Sequence, residues 1–414
     1  MKKSLFAVLA ASSLLFAESY QVNTLSAKQW GMAHTGAGLK LGSESMNFNP
    51  GAMGFLDKTF DFSAGATFIM PEVQIGADGK QTYNEKVGTP MYVYAASGIT
   101  DWLSVGISFT TPYGNAADYG KNWPGADILQ SIDLKVFALQ PTIAFKLLDK
   151  ISIGIGPAIY LGSSFEQSKD LKNPALSLPA GIASGTFSGD ADVAVGVNAG
   201  ILYDLLPNKL ALGFAYRSGV DMKVSDGKAE IESVFPHPMF TAIEASKFEA
   251  ELPLPANLNV GISFWPMDKL VLAFDWQIIF WGTYKNLSLK FDNPMFNQVS
   301  QKKYDNTFAY RLGAQYTLIP QLDLRLGVYY DESPVADGYL TPESPSTDKF
   351  GTTVGFSYRP IPNISIDASF GYSNGSGPLG RDATSGSNTD KDDGLDARYD
   401  VQAWVPAVGL SFSF

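Results

Sequence analysis

A fourteen-stranded antiparallel transmembrane β-barrel is the fold this sequence predicts, and three features predict it: how the chain ends, how it begins, and the rhythm between. At the end, Val408, Leu410, Phe412 and Phe414 alternate with Gly409, Ser411 and Ser413. A period of two places the two sets on opposite faces of a strand. In a membrane barrel the apolar face meets lipid, the small or polar face meets the lumen, and aromatics mark the interface. A terminal Phe on such a strand is also the usual outer-membrane assembly signal, so the barrel-assembly machinery is an expected partner during biogenesis. At the start, Met1-Lys2-Lys3 is basic, Leu5 to Phe16 is apolar, and Ala17 before Glu18 offers a cleavage point. That pattern is a secretory signal, too short to span a bilayer as a helix. Leu15, three residues before the cut, is larger than such a site prefers. Removal takes away two lysines and no acid, so the formal charge of −11 becomes −13.

The rhythm recurs along the chain. Phe308, Tyr310, Leu312, Ala314, Tyr316 and Leu318 alternate with Ala309, Arg311, Gly313, Gln315 and Thr317. Leu322, Leu324, Leu326, Val328 and Tyr330 alternate with Asp323, Arg325, Gly327 and Tyr329, and Ile364, Ile366, Ala368, Phe370 and Tyr372 with Ser365, Asp367, Ser369 and Gly371. Such runs have the length a tilted membrane strand needs. Short turns are predicted at Thr100-Asp101, Leu148-Asp149, Pro207-Asn208, Met267-Asp268, Pro320-Gln321 and Pro362-Asn363. Between them lie long polar connections near 70–88, 111–130, 163–188, 223–249, 291–303, 331–349 and 373–397. Six short turns strictly alternating with seven long loops require fourteen strands, with both ends on the short-turn side. Short periplasmic turns and long extracellular loops are the asymmetry of outer-membrane barrels, which places the protein in the outer membrane of a Gram-negative-type bacterium.

Composition narrows the chemistry. With no Cys, thiol catalysis and Cys-based metal sites are excluded. An acidic balance argues against nucleic acid, which needs a basic stripe. His34 and His237 are the only histidines, and neither sits at a strand end beside an acid and a Ser, so no enzyme is read here and no cofactor or metal is called for. Gly375-Ser376-Gly377-Pro378-Leu379-Gly380 matches GxGxxG only formally, in a polar loop with no helix behind it. Asp390, Asp392, Asp393 and Asp396 form an acidic cluster without the Gly and Glu of an EF-hand loop. A solvated loop explains it, with binding of a divalent cation, or contact with cations bound to lipopolysaccharide, as the functional alternatives.

Three organisational units are expected: a signal at 1–17, a plug at 18–54 and the barrel at 55–414. Residues 18–54 show no sustained alternation, yet Val22, Leu25, Trp30, Met32, Leu39, Met46 and Phe48 make them too apolar for a disordered tail. Folding back into the lumen as a hatch accounts for both facts. Alternation points Asp275, Arg311, Asp323, Arg325, Arg359 and Asp367 inward, where they brace the lumen and plug, or where an Arg meets an acidic ligand head group. Two long loops are unusually apolar. One carries Leu176, Leu178 and Phe187, the other Phe235, Met239, Phe240 and Phe248. Such loops either pack on one another over the mouth or present a capture surface, and a packed pair can leave a groove between.

At this point the sequence resembles the FadL/TodX family of outer-membrane transporters for long-chain fatty acids and other hydrophobic compounds. Residues 45–54, with Asn49-Pro50-Gly51, resemble the family's hatch motif, Gly51 standing where Ala is usual. Residues 251–257, Gly261, Pro266-Met267-Asp268 and Asp275-Trp276 are similar to its central stretch. Tyr304-Asp305-Asn306-Thr307, Arg311-Leu312-Gly313, Leu324-Arg325-Leu326-Gly327 and Tyr330-Asp331-Glu332-Ser333-Pro334 continue the resemblance. It implies a plugged barrel that captures ligand in an apolar extracellular groove, passes it to a lumenal pocket, and releases it sideways at a kink in the third strand. That strand runs near Leu103 to Thr111, with Gly106 and Pro112 the residues expected to permit the distortion. The expected partners are a hydrophobic small molecule, outer-membrane lipid and lipopolysaccharide, and the chain is expected as a monomer. The rival readings are a general porin for small hydrophilic solutes, a lipid hydrolase and an adhesive barrel.

Overall fold

The computed structural model describes residues 19–414 except 78–79, 85, 172–180, 337–338 and 381–395. In chain order the strands begin with β1 (Asp61–Thr67), β2 (Met70–Ala77), β3 (Lys80–Asn84), β4 (Met91–Thr100) and β5 (Leu103–Asp118). Next come β6 (Ser131–Leu147), β7 (Ile151–Asp170), β8 (Ala183–Asp190), β9 (Ala194–Leu206), β10 (Leu210–Arg217) and β11 (Val220–Ser233). They continue with β12 (Phe248–Leu254), β13 (Asn257–Met267), β14 (Leu270–Ile279), β15 (Asn286–Phe291) and β16 (Gln298–Gln301). The series closes with β17 (Thr307–Ile319), β18 (Leu322–Asp331), β19 (Lys349–Ile361), β20 (Ile364–Gly380) and β21 (Asp396–Ser413). Three short helices are α1 (Ala27–Trp30), α2 (Ser45–Phe48) and α3 (Pro238–Glu244).

Antiparallel pairing runs β1-β4-β5-β6-β7-β9-β10-β13-β14-β17-β18-β19-β20-β21 and returns to β1. β2 continues the line of β1 along β21, so the wall is a closed ring of 14 strands, as the turn count predicts. Closure matters because an open sheet edge has no hydrogen-bond partner in lipid. All six predicted short turns are present, and Leu148 and Asn208 adopt positive φ in two of them (56° and 58°).

Alternation sorts the wall as the pattern requires. Leu312, Leu326, Val354, Val408 and Leu410 are exposed on the lipid side, while Arg311, Arg325, Thr353, Ala407 and Ser411 are buried within. Outward aromatic pairs such as Trp102–Phe145 and Trp276–Phe308 stack on that outer surface. The C-terminal Phe414 stacks on Phe60 and exchanges both backbone hydrogen bonds with it, which fastens the two ends of the barrel together.

The long connections are shorter than their polarity suggests. Residues 111–118 continue β5, 163–170 continue β7 and 373–380 continue β20, while β8, β11, β12, β15 and β16 extend the sheet above the membrane. Polar side chains there mark where water begins, and the backbone ladder ignores that boundary. Gly375 to Gly380 accordingly lie in a strand paired with β21, not in a loop.

Candidate functional site

Residues 20–55 lie inside the ring, touching strands on every side of it. Local signals shape them. Ser26 caps α1 by accepting the Gln29 N–H, and Asn49 accepts the Gly51 N–H ahead of a 3-10 turn that starts at Pro50. The wall admits this backbone through glycines paired across neighbouring strands. Asn49, Pro50 and Gly51 sit over Gly154 and Gly200, Ala37 over Gly213 and Gly261, and Met32 over Gly313 and Gly327. A Cβ on Gly213 would stand 1.7 Å from the Ala37 carbonyl oxygen, and one on Gly154 2.2 Å from that of Pro50. Only a bare backbone fits there.

Hydrogen bonds hold the segment to the wall. Asp275 Oδ2 accepts the N–H groups of Gly36 (2.7 Å) and Ala37 (2.9 Å). Trp30 Nε1 donates to the Val405 carbonyl at 2.9 Å, and Asn49 Nδ2 donates to the carbonyls of Ala37 (2.7 Å) and Ile201 (3.0 Å). Buried Glu44 accepts from Ser26 and Ser63, each at 2.5 Å, with Lys28 at 3.6 Å. Lys40 pairs with Asp204 on β9 at 2.7 Å. Replacing Asp275 by Ala removes an anionic acceptor and strands two buried N–H groups. Native barrel stability should fall by about 2 kcal/mol or more, read from the temperature at which the folded band is lost on a gel.

The six charges predicted to face inward do so, and they brace rather than wait. Arg311 pairs with Asp331 at 3.0 Å and Arg359 grips Asp323 with two bonds of 2.6 and 2.9 Å. Arg325 donates to Gln315 and Ser357, and Asp367 accepts from Ser365 and Ser411. Beside the inner segment is a polar cavity of about 50 Å³ whose lining includes His34, Asn198, Arg217, Asn257, Asp275 and Gln277. Its volume and amide lining suit a few ordered waters, not an apolar ligand.

Above that cavity the interior turns apolar. Tyr20 inserts its ring among Trp281 (4.7 Å between centroids), Tyr284 (5.8 Å) and Tyr113 (6.3 Å), and its hydroxyl donates to the Pro253 carbonyl. Met222, Leu254, Val136, Tyr160 and Tyr304 pack around it, forming an aromatic chamber that the Tyr20 ring itself fills. Sequence reading missed it because its walls come from seven separate strands and loops, none with a local motif.

The third barrel strand, β5, carries the wall's most informative irregularity. Its ladder with β4 slips by one residue at the turn, beside Leu103, then runs in unbroken register from Ser104 to Thr110 and ends. On the other side the register with β6 slips between Thr110 and Tyr113. One extra residue falls there, a bulge at Thr111-Pro112, where proline's missing N–H is tolerated. Gly106 is paired on both sides, with Ala96 and Thr142, so the interruption lies beyond it; a Cβ there would meet Met46 of the inner segment. The edge that β4 leaves bare is taken up from within. Val22 N–H donates to the Pro112 carbonyl and Gly114 N–H to the Tyr20 carbonyl, each at 2.9 Å, with Gln21 opposite Tyr113.

The apolar loops pack on each other. Phe187, Phe240 and Phe248 are buried and Met239 is half-buried, forming with Phe291, Leu289 and Ile243 the core beneath the extracellular sheet and α3. Exposing those rings to water would forfeit the burial that folds the sheet. They are therefore closed to a ligand arriving from outside, and Phe235, with Val234, is what the loop exposes. Leu176 and Leu178 lie outside the described residues, as do Asp390, Asp392 and Asp393. His237 Nδ1 accepts the Met239 N–H at the start of α3, which ties the imidazole to a capping role.

A family model described as outer membrane protein transport protein (OMPP1/FadL/TodX) matches residues 8–414. The chain is 25% identical over 407 residues to the long-chain fatty acid transport protein of Escherichia coli O6:H1, covering 90% of this chain and 91% of that one. Among solved structures it resembles a FadL homologue of Pseudomonas aeruginosa (TM-score 0.84, 21% identity, 96% of this chain and 100% of that one). It also resembles the Pseudomonas putida toluene transporter TodX (TM-score 0.72, 16% identity, 96% and 100%).

Proposed function

Because the chain belongs to the OMPP1/FadL/TodX family of outer-membrane transport proteins, which are channels and not enzymes, we propose that it is a passive uptake channel for hydrophobic small molecules. The relatives' names give long-chain fatty acids and toluene as cargo, and this chain's cargo belongs to the same broad class. In this reading residues 1–17 are removed on export, residues 18–54 are a hatch, and residues 55–414 are a monomeric barrel.

One observation carries the route: the wall is incomplete at Thr111-Pro112, and the stretch Tyr20 to Val22 completes it. Tyr20 holds the centre of the aromatic chamber, so an apolar ligand entering there takes the place of its ring. Displacing Tyr20 strips the neighbouring backbone from the β5 edge and uncovers a sideways opening. A hydrophobic cargo leaving that way stays out of periplasmic water, which would cost it roughly 0.8 kcal/mol per CH₂ exposed. A general porin would need an open lumen, and the burial of residues 20–55 against the whole wall speaks for a closed one.

The test is uptake of labelled oleate by cells lacking their own transporter, with and without this protein, alongside native mass spectrometry of protein taken up in mild detergent. Protein-dependent uptake and a co-purified hydrophobic molecule are expected. Porin-like conductance with neither would sink the proposal.

A further inference from the structure

The loop between β18 and β19 does not stay on its own side of the mouth. β19 and β7 stand opposite one another in the ring, yet residues 339–348 cross from β19 to β7. At the far end Glu343 accepts from Gln167 Nε2 of β7 (2.9 Å), and its backbone carbonyl accepts from Asn115 Nδ2 of β5 (2.5 Å). Lys302, only 2% exposed, donates to the Glu343 carboxylate, and Thr341 adds a bond of 3.0 Å. Midway, Ser344 meets Ser19 at 3.0 Å, next to Tyr20, and Ser19 also contacts Tyr304 of the aromatic chamber. The crossing segment is therefore a roof, with the chamber directly beneath it.

We propose that residues 339–348 are a strap latched over the chamber by the Lys302–Glu343 ion pair, and that apolar cargo enters the chamber from outside only when the strap lifts. The inference rests on the uptake reading, and adds to it a second moving part on the entry side.

Its chemistry suits a reversible latch. A permanent roof over an apolar chamber would be greasy. Here the buried residues are Glu343, Ser344, Ser346 and Thr347, with Leu340 and Pro342 the buried apolar ones. Polar groups exchange protein partners for water at little net cost, so lifting gives up little apolar burial. The ion pair behaves alike: burial costs both ions their hydration, and opening restores it. Burial works to raise the Glu343 carboxyl, but the Lys302 ammonium and the Thr341 hydroxyl outweigh it and hold it below the usual carboxylate range. At neutral pH Glu343 is thus the charged partner that its contact with Lys302 requires.

The chain has no Cys, so engineered thiols are unambiguous. In Gln167→Cys with Glu343→Cys, a short reducible thiol cross-linker will tie the strap to β7 in place of the latch. Loss of oleate uptake on cross-linking, restored by a reductant, is expected; uptake unchanged by the cross-link would overturn the proposal. A second measurement needs no substrate and no cross-link. Ser344→Cys should react slowly with a membrane-impermeant thiol reagent, and faster when Lys302→Met is added. Equal rates would overturn the strap even in cells that take up oleate. Wild-type cells that take up none would instead sink the uptake reading, and the labelling would still decide the strap.

Discussion

Deleting residues 18–54 will turn a barrel that passes almost no current into one with large, steady conductance in planar bilayers. A ring of 14 strands encloses a lumen wide enough for an aqueous path unless something fills it. Residues 20–55 fill it with a backbone set against paired glycines and held by Asp275, Val405, Ile201 and Ser63 of the wall. None of those bonds closes the wall itself. The ladder between β1 and β21 runs unbroken from Asp61 to Thr67, and the Phe60–Phe414 clasp lies outside the deleted stretch. The barrel should therefore assemble without its contents, leaving Asp275 facing water, which an inward charge tolerates. If the intact protein already conducts like a porin, residues 18–54 do not close the lumen.

The wall was legible in the sequence because lipid enforces it. An outward charge at the bilayer centre is penalised by a few kcal/mol, so Leu312, Leu326 and Val354 had to alternate with Arg311, Arg325 and Gly355. The six tight turns were legible for the same kind of reason, since Pro, Asn and Asp each supply the backbone they need. Where lipid stops, that signal stops. Ser164, Glu166 and Ser168 read as loop, yet they form strand, because water accepts polar groups on strands and loops alike. The apolar interior of residues 18–54 betrayed burial, but its docking surface went unread. Gly313, Gly327 and Gly371 stood in plain sight at inward positions, and they are the ones whose missing Cβ lets Met32 and Trp30 approach. Two or more inward glycines facing each other on adjacent strands are the usable signal. The aromatic chamber and the strap have no such local mark. Tyr20, Trp281, Tyr304 and Glu343 meet only because distant loops fold to one point, and a period of two says nothing about that.

Oxidising the double variant Gln21→Cys, Tyr113→Cys will stop uptake of hydrophobic cargo, and reducing it will restore uptake. The positions follow from the ladder. Val22 N–H bonds to Pro112 and Gly114 N–H to Tyr20, so Gln21 and Tyr113 form the close, non-hydrogen-bonded pair of an antiparallel bridge. Such pairs bring their Cα atoms to about 4.5 Å, within the span a disulfide accepts. The bond pins Tyr20 to Val22 against β5 beyond Thr110, where β4 no longer covers it. Ligand can then neither displace the Tyr20 ring nor part the inner backbone from the wall. Removing Tyr113 trims one side of the chamber, which is why the reduced form of the same protein, and not the wild type, is the proper control. In the reduced form the Gln21 bridge rests on two backbone bonds of a modest net worth, about 1 kcal/mol each, which a buried apolar ligand readily outweighs. Cargo that crosses the oxidised barrel as fast as the reduced one would mean the route lies elsewhere, and the break at Thr111-Pro112 would then be a bulge that shapes the wall without opening it.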